Sequence, residues 1–265
     1  MTTVAQVADI MEVIAPKHLA ETWDNPGLLV GDPAQRVQKI LVVLDVSERV
    51  VDLAVKLSVE LIISHHPLIF KPIKKIRTDL PTGKLLKKIL TQNLAVFAAH
   101  TNLDSALGGV NDVLANRLGL VKIRPLTQAA DGEPGLGRIG ELESAVGIDD
   151  FVTMVKDKLH LPYVRLVAGG DGKIKKVALC GGSGAEFIDR AALRGADVYL
   201  TGDIRYHDAQ RAADLGIYAV DAGHFGTEYP IVHELAVRLG QEITTAGLSA
   251  EIYEDTDAAD YFTVR

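Results

Sequence analysis

The 265-residue chain contains a single cysteine, Cys180. One thiol can form neither an internal disulfide nor a cysteine-rich zinc site, so we expect a reducing, cytoplasmic location. The shortage of thiols also leaves nitrogen and oxygen as the ligand atoms for any bound metal. We expect Cys180 itself to be a buried small hydrophobic residue rather than a nucleophile, because no histidine lies near it in sequence.

Long apolar runs are absent too, and none approaches the ~20 residues that a membrane-spanning helix needs. The first 15 residues include Asp9 and Glu12 and show no basic region before an apolar core, which argues against a secretory signal. We therefore expect no membrane partner.

The chain has no excess of positive charge. It carries 28 lysines and arginines against 35 acidic residues, a net charge of −7, which makes nucleic acid an improbable partner. Its hydrophobic content of 48% and charged content of 24% are average for folded proteins and exclude a disordered chain.

Buried strands alternate with amphipathic helices along most of the sequence, which predicts α/β domains with mainly parallel sheets. The predicted strands are 40–45, 61–64, 95–99, 177–180, 197–200 and 217–221. The predicted helices are 4–14, 47–57, 85–90, 113–118, 187–194, 207–214 and 230–239, with Ser47 as an N-cap. We expect one domain of residues 1–125 plus 226–265 and a second of residues 126–225.

Two segments rich in glycine interrupt this pattern. The segment 131–147 is the weakest in structural signal, and we interpret it as a domain edge or a hairpin. The run from Gly181 to Gly184 follows a predicted strand, and we expect it to form a turn.

The two halves of the chain follow the same order of elements, which predicts an internal duplication. Strand 42–44 corresponds to strand 177–179, and strand 61–64 corresponds to strand 198–201. The third strand of each half is followed by a histidine and, four residues later, by an acidic residue. These pairs are His100 with Asp104 and His224 with Glu228.

Four groups of possible metal ligands follow predicted strands. They are His65 with His66, His100 with Asp104, His224 with Glu228, and the weaker pair Asp203 with His207. The carboxyl ends of parallel strands share one edge of a sheet, where ligands bind. Adjacent imidazoles can face one site only where the strand breaks into a loop, and Pro67 favours such a break.

Imidazoles and carboxylates without thiolates suit divalent Zn, Fe, Mn or Co. The groups exceed the needs of one tetrahedral ion, so we expect two divalent metal ions per subunit. His18, His160 and His233 lack such neighbours and are not expected to be ligands. We expect Trp23 in the core or at an interface rather than as a stacking surface.

Several of these motifs together resemble the NIF-three-like family, whose members are often labelled GTP cyclohydrolase 1 type 2 homologs. The motifs span residues 23–28, 64–67, 100–104, 180–184, 201–207 and 223–228. The double histidine and the final His-x-x-x-Glu are the specific parts. The short span between Leu120 and Val177 indicates the short form of the family, without its inserted mid-chain domain.

The resemblance implies a dinuclear metal site between the two domains. It implies His65, His66, Asp104, His224 and Glu228 as its ligands, and a ring-shaped homohexamer with the sites facing an internal cavity. His100 is the counterpart of His224 in the repeat, so we expect it behind the ligands or as a proton-transfer group. His207 and Asp203 are candidates for substrate binding.

The resemblance implies a metal-dependent hydrolase, with metal-activated water attacking a nucleotide ring or a related small molecule. The metal core would serve other hydrolases equally well. Two other functions stay open: a metal-binding scaffold or regulatory protein without turnover, and a metal carrier.

Overall fold

A computed structural model describes residues 1–128 and 132–264. The chain divides into two compact units, Met1–Leu103 with Val232–Ala258, and Asp104–Ile231 with Ala259–Arg265. The change between units thus falls at residue 103 rather than at the predicted residue 125. The reason is that the strands after residue 120 belong to the sheet of the second unit.

The first unit has a five-stranded sheet in the order β1-β4-β3-β2-β11. Its strands are β1 (Gly27–Val30), β2 (Lys39–Val43), β3 (Leu61–Ser64), β4 (Ala95–Ala98) and β11 (Glu251–Glu254). Strands β11, β2, β3 and β4 run parallel, and β1 pairs antiparallel with β4. The prediction of a mainly parallel sheet is confirmed for this unit.

The helices of the first unit begin at capping residues or at proline. They are α1 (Val4–Ile14), α2 (Glu48–Leu57) and α3 (Pro81–Thr91), with α4 (Thr101–Ser105) and α10 (Pro230–Thr245) crossing the unit boundaries. Thr3 caps α1 in a capping box, and Ser47 accepts a hydrogen bond from the backbone of Val50 at the start of α2. Pro81 occupies the first turn of α3.

A hydrophobic core lies between the helices and this sheet. It includes Leu41, Val51, Ile62, Ile89 and Val96, each at most 1% exposed. Burial of the central strands leaves their ends as the places where polar side chains reach solvent.

The second unit has a six-stranded sheet in the order β5-β6-β8-β9-β10-β7. Its strands are β5 (Val121–Pro125), β6 (Arg138–Val146), β7 (Arg165–Val167), β8 (Ile174–Ser183), β9 (Val198–Gly202) and β10 (Tyr218–Asp221). Only the pairs β8–β9 and β9–β10 are parallel among the described pairings. This sheet is mixed, which corrects the prediction of mainly parallel strands.

The helices of the second unit cover both faces of its sheet, with a hydrophobic cluster on each. They are α5 (Val110–Arg117), α6 (Ile148–Leu159), α7 (Ile188–Leu193), α8 (Tyr206–Asp214) and α9 (His224–Glu228). Phe151 packs with Val177 and Leu200 in one cluster, and Tyr199 packs with Ile188 in the other.

The structure treats the two glycine-rich segments differently. Most of segment 131–147 forms β6, which follows β5 and pairs antiparallel with it, so the predicted hairpin is confirmed, while Asp131 lies outside the described residues. The prediction of a turn at 181–184 is wrong for residues 181–183, because strand β8 continues through Ser183. Strands β1, β5, β7 and β11 lacked a clear signal because they are short and at least partly exposed. Helix α6 was missed although its buried residues Phe151, Val155 and Leu159 follow a helical spacing.

The central strands of the two sheets have the same connectivity. In each unit three parallel strands follow one another (β2-β3-β4 and β8-β9-β10), and an antiparallel strand pairs with the third (β1 and β7). This topology agrees with an internal duplication, which stays a prediction. Within the described part of the chain, no helix has the length and apolar character needed to cross a membrane.

Candidate metal site

Three imidazoles meet at the carboxyl ends of β3 and β4 in the first unit. His65 and His66 directly follow β3, and His100 is separated from the end of β4 by Ala99 alone. Each of the three offers a ring nitrogen, and these nitrogens lie within 4.8 Å of one another. The chain leaves the strand at Ser64, whose hydroxyl donates to the carbonyl of His66 at 2.8 Å. This local bend lets two adjacent imidazoles face the same cluster, as predicted.

Each imidazole of the cluster has an acceptor at its Nδ1 atom. The Nδ1 of His65 lies 2.9 Å from the carbonyl oxygen of Ala99. The Nδ1 atoms of His66 and His100 lie 2.8 Å from carboxylate oxygens of Asp45 and Asp24, respectively. A carbonyl or a carboxylate accepts, so Nδ1–H donates and Nε2 keeps the lone pair. Hydrogen bonding of this kind orients histidine for metal ligation and raises its basicity.

Asp24 is held as a carboxylate behind His100. Burial alone would raise the pKa of Asp24, but hydrogen bonds from His100 and Thr101 outweigh it and hold the pKa well below its usual range. The side chain of Asp24 is fully buried. It accepts from the backbone nitrogen of Thr101 at 3.0 Å and from its hydroxyl at 2.5 Å.

The second unit carries its own set of ligand groups. Asp104 and Glu228 are buried, and each offers a carboxylate oxygen within 4.8 Å of the other. The Nδ1 of His224 lies 2.8 Å from Asp203, and its Nε2 lies 3.1 Å from Glu228. His224 therefore repeats the arrangement of His66 and His100, with a carboxylate behind the ring.

Close backbone packing positions Glu228. A Cβ atom at Gly182 would lie 2.1 Å from Oε1 of Glu228 and 3.2 Å from Nε2 of His224. Gly182 also has a positive φ of 62°. Its backbone nitrogen donates to the hydroxyl of Thr227 at 2.9 Å. The glycines at the end of β8 thus give Glu228 its place beside the strand.

Asn111 on α5 connects Asp104 with β8. Its Nδ2 donates to the carbonyl of Asp104 at 3.0 Å, and its Oδ1 accepts from the backbone nitrogen of Gly181 at 2.9 Å. The side chain is fully buried. Neighbouring Cys180 is also buried, which raises the pKa of its thiol, and the charges of Asp104 and Glu228 raise it further. Its expected role as a buried, unreactive residue agrees with this environment.

A cavity of about 490 Å³ borders His66 in the first unit. Its lining includes Asp45, Lys84 and Lys88. The Nζ of Lys88 lies 2.6 Å from Asp52, whereas Lys84 makes no ion pair with a residue that the structure describes. The volume is within the range of small-molecule sites.

The predicted site residues separate into those that join a cluster and those that do not. His65, His66 and His100 form one group, so His100 stands among possible ligands rather than behind them. Asp104 and His224 each approach Glu228 in the second unit. Asp203 pairs with His224 and not with His207, which corrects their predicted pairing. His207 is exposed, and its Nδ1 lies 3.5 Å from Gln210.

Sequence reasoning missed Asp24 and Asp45, the carboxylates behind two of the imidazoles. Asp24 belongs to the motif 23–28, which contributed only to the family resemblance, and Asp45 directly follows the run Ile40–Leu44. An acidic residue at the carboxyl end of one parallel strand, next to a strand that ends in histidine, is a signal that could have identified such a partner. Trp23 was predicted in the core or at an interface, and its 58% exposure excludes the core, while the interface stays a prediction.

The sequence profile of the Duf34/NIF3 (NGG1p interacting factor 3) family matches residues 2–258. The chain belongs to this family. Its relatives include a protein of Clostridium acetobutylicum named GTP cyclohydrolase 1 type 2 homolog, which is 38% identical over 94% of each chain. A Lactococcus lactis protein of the same name is 34% identical over 97% of this chain and 98% of its own. Such coverage shows relatives of about the same length.

Solved structures of the family share the fold. A Bacillus cereus protein described as related to NIF3 superposes with a TM-score of 0.95 at 29% identity, covering 100% of this chain and 99% of the other. The predicted family membership and α/β fold class are therefore confirmed.

Proposed function

We propose that this chain is a hydrolase dependent on two divalent metal ions. His65, His66, Asp104, His224 and Glu228 would hold them. The observation that carries the proposal is the commitment of Nδ1 in His65, His66 and His224 to an acceptor. Each imidazole thereby presents Nε2 as a ligand atom.

The donor chemistry of these residues fits a metal centre. Neutral imidazole nitrogen and carboxylate oxygen suit Zn, Fe, Mn or Co, and two carboxylates allow one to bridge. When bound, such ions polarise the substrate and supply a nucleophile near neutral pH. The relatives' shared name supports a nucleotide such as GTP as the leading substrate class.

The other residues of the site have roles that their surroundings define. His100, with the ionised Asp24 behind its ring, is placed to take up or release a proton during hydrolysis. The cavity beside His66 is lined by Asp45 and Glu48 as well as by Lys84 and Lys88, and Lys88 is paired with Asp52. Lys84 therefore supplies the positive charge that would bind an anionic part of the substrate there. Net charge of the whole chain would not attract an anion, so this local charge is needed.

Metal counting and product analysis test the proposal on one preparation. We expect about two metal ions per chain under metal-replete conditions, and formate release from GTP. His65→Ala and Glu228→Gln should lose metal and turnover, whereas His18→Ala, at an exposed histidine outside the clusters, should keep both.

Each contrary outcome has a distinct meaning. Fewer than one ion per chain would refute the dinuclear centre. Two ions per chain without formate release would refute the GTP cyclohydrolase activity. That result would favour a metal-binding scaffold or, if the metal exchanges rapidly, a metal carrier. The homohexamer that the resemblance implies stays a proposal, which sedimentation velocity of the same sample tests.

A further inference from the structure

Two large aromatic side chains of the first unit are exposed beside its imidazoles. Trp23 is 58% exposed and Phe70 is 42% exposed. Their ring centroids lie 5.8 Å apart in an edge-to-face arrangement. The ring of His100 lies 6.3 Å from Trp23 and 6.1 Å from Phe70, also edge to face. Two exposed aromatic rings in contact with each other and with an imidazole make a candidate binding surface.

Hydrogen bonds hold the residues next to both aromatic side chains. Asp24, which follows Trp23, accepts from the backbone and the hydroxyl of Thr101. The side-chain nitrogen of Asn25 donates at 2.6 Å to the carbonyl of Ile69, which precedes Phe70. The two loops are thus connected, and a surface ordered before binding loses little conformational freedom when a ligand arrives.

We propose that Trp23 and Phe70 form a binding site for the flat ring of an aromatic or heteroaromatic substrate. Edge-to-face packing between the two residues leaves ring faces open for stacking. Stacking tolerates different rings, because each presents a π-face, so the site selects planarity rather than one base. The proposal rests on the proposed function, since the ring belongs to the substrate of that hydrolase.

The cavity that contains Lys84 and the aromatic pair lie near each other within the first unit. The cavity is bordered by His66, and the aromatic pair contacts His100. The ring centroids of these two histidines are 5.8 Å apart. A substrate with a flat ring and a phosphate group would therefore span the imidazole cluster, which places its reacting bonds beside the candidate ligands.

Fluorescence of the protein measures ring binding directly, because Trp23 is the only tryptophan in the sequence. Metal-loaded and chelator-treated protein would be titrated with guanosine, GTP and inorganic triphosphate. We expect saturable quenching by guanosine and GTP, with protection of Trp23 from acrylamide, and no quenching by inorganic triphosphate, which has no ring.

A pair of identical substitutions separates this site from general surface effects. Phe70→Leu should weaken guanosine binding about fivefold or more and raise KM more than it lowers kcat. Phe262→Leu changes an exposed phenylalanine (77% exposed) of the second unit and should leave both unchanged.

Two results would overturn the ring site. One is the absence of a saturable fluorescence change with guanosine in protein that binds metal. The other is a Phe70→Leu variant with altered sedimentation and unaltered guanosine affinity, which would show that the pair contacts a second copy of the chain. Loss of formate release with guanosine quenching intact would instead refute the hydrolase and keep the ring site.

Discussion

The lack of a side chain at Gly182 leaves room for the candidate ligand Glu228. Glu228 occupies the space where a Cβ atom at this position would lie. Gly216 has a similar positive φ of 70°, but a Cβ there would meet nothing within 4 Å. The two glycines therefore separate backbone strain from displacement of Glu228.

We predict that Gly182→Ala and Gly216→Ala each lower the free energy of unfolding by about 1 kcal/mol through the left-handed backbone. Only Gly182→Ala should also weaken metal binding, by about tenfold, because Glu228 must move. Urea unfolding and competition with a chelator measure the two quantities. Equal metal affinities in both variants would show that Glu228 is not a ligand.

At the residue scale, the sequence carries enough information to find most ligand groups. His65, His66 and Pro67 mark a strand end by their chemistry alone, and His224 and Glu228 stand four residues apart on α9. The partners of the imidazoles could not be found in this way. Asp24 reaches His100 across 76 residues of sequence, a contact that only the folded chain creates.

Helix α5 supports the site without contributing a ligand. Its Asn111 holds the backbone of Asp104 on one side and that of Gly181 on the other. Asn116 lies on the same helix and is exposed. The helix thus offers a buried and an exposed asparagine for comparison.

We predict that Asn111→Ala lowers the free energy of unfolding by about 2 kcal/mol, because it leaves two buried backbone groups unsatisfied. Asn116→Ala should stay within about 0.5 kcal/mol of the wild type. Denaturant unfolding gives the comparison, and metal titration should show weaker binding for Asn111→Ala alone. An unchanged stability would mean that water replaces the asparagine.

At the scale of elements, most amphipathic helices and buried strands were predicted correctly, since hydrophobic period and capping residues define them, whereas the 12-residue helix α6 was missed. Thr3 and Ser47 illustrate this, because each caps a predicted helix. Strand β11 was not predicted, because its four residues are at least partly exposed and pair only with β2. The glycines of β8 suggested a turn, while their packing against Glu228 requires a strand with a bulge.

For the whole molecule, bound metal should contribute to stability, because it binds the folded chain and not the unfolded one. Binding to the folded state at 100 times the dissociation constant adds about 2.7 kcal/mol per site. For a chain of this size, that corresponds to a rise of roughly 5–10 °C in Tm per site.

We predict that removal of metal with a chelator lowers Tm and that Zn²⁺ or Mn²⁺ restores it, as measured by differential scanning calorimetry. His65→Ala should show a much smaller metal-dependent rise, and His18→Ala the full rise. If metal does not change the Tm of the wild-type protein, the proposed metal centre is contradicted.

The path of the chain through its two units has a consequence for biosynthesis. The first unit is interrupted after Leu103 and resumes at Val232, where α10 and then β11 complete it. On the ribosome, the intervening 128 residues take roughly ten seconds to appear. During that interval β2 has no neighbour on the side that β11 later covers, so the nascent chain presents an open sheet edge that a chaperone would have to shield.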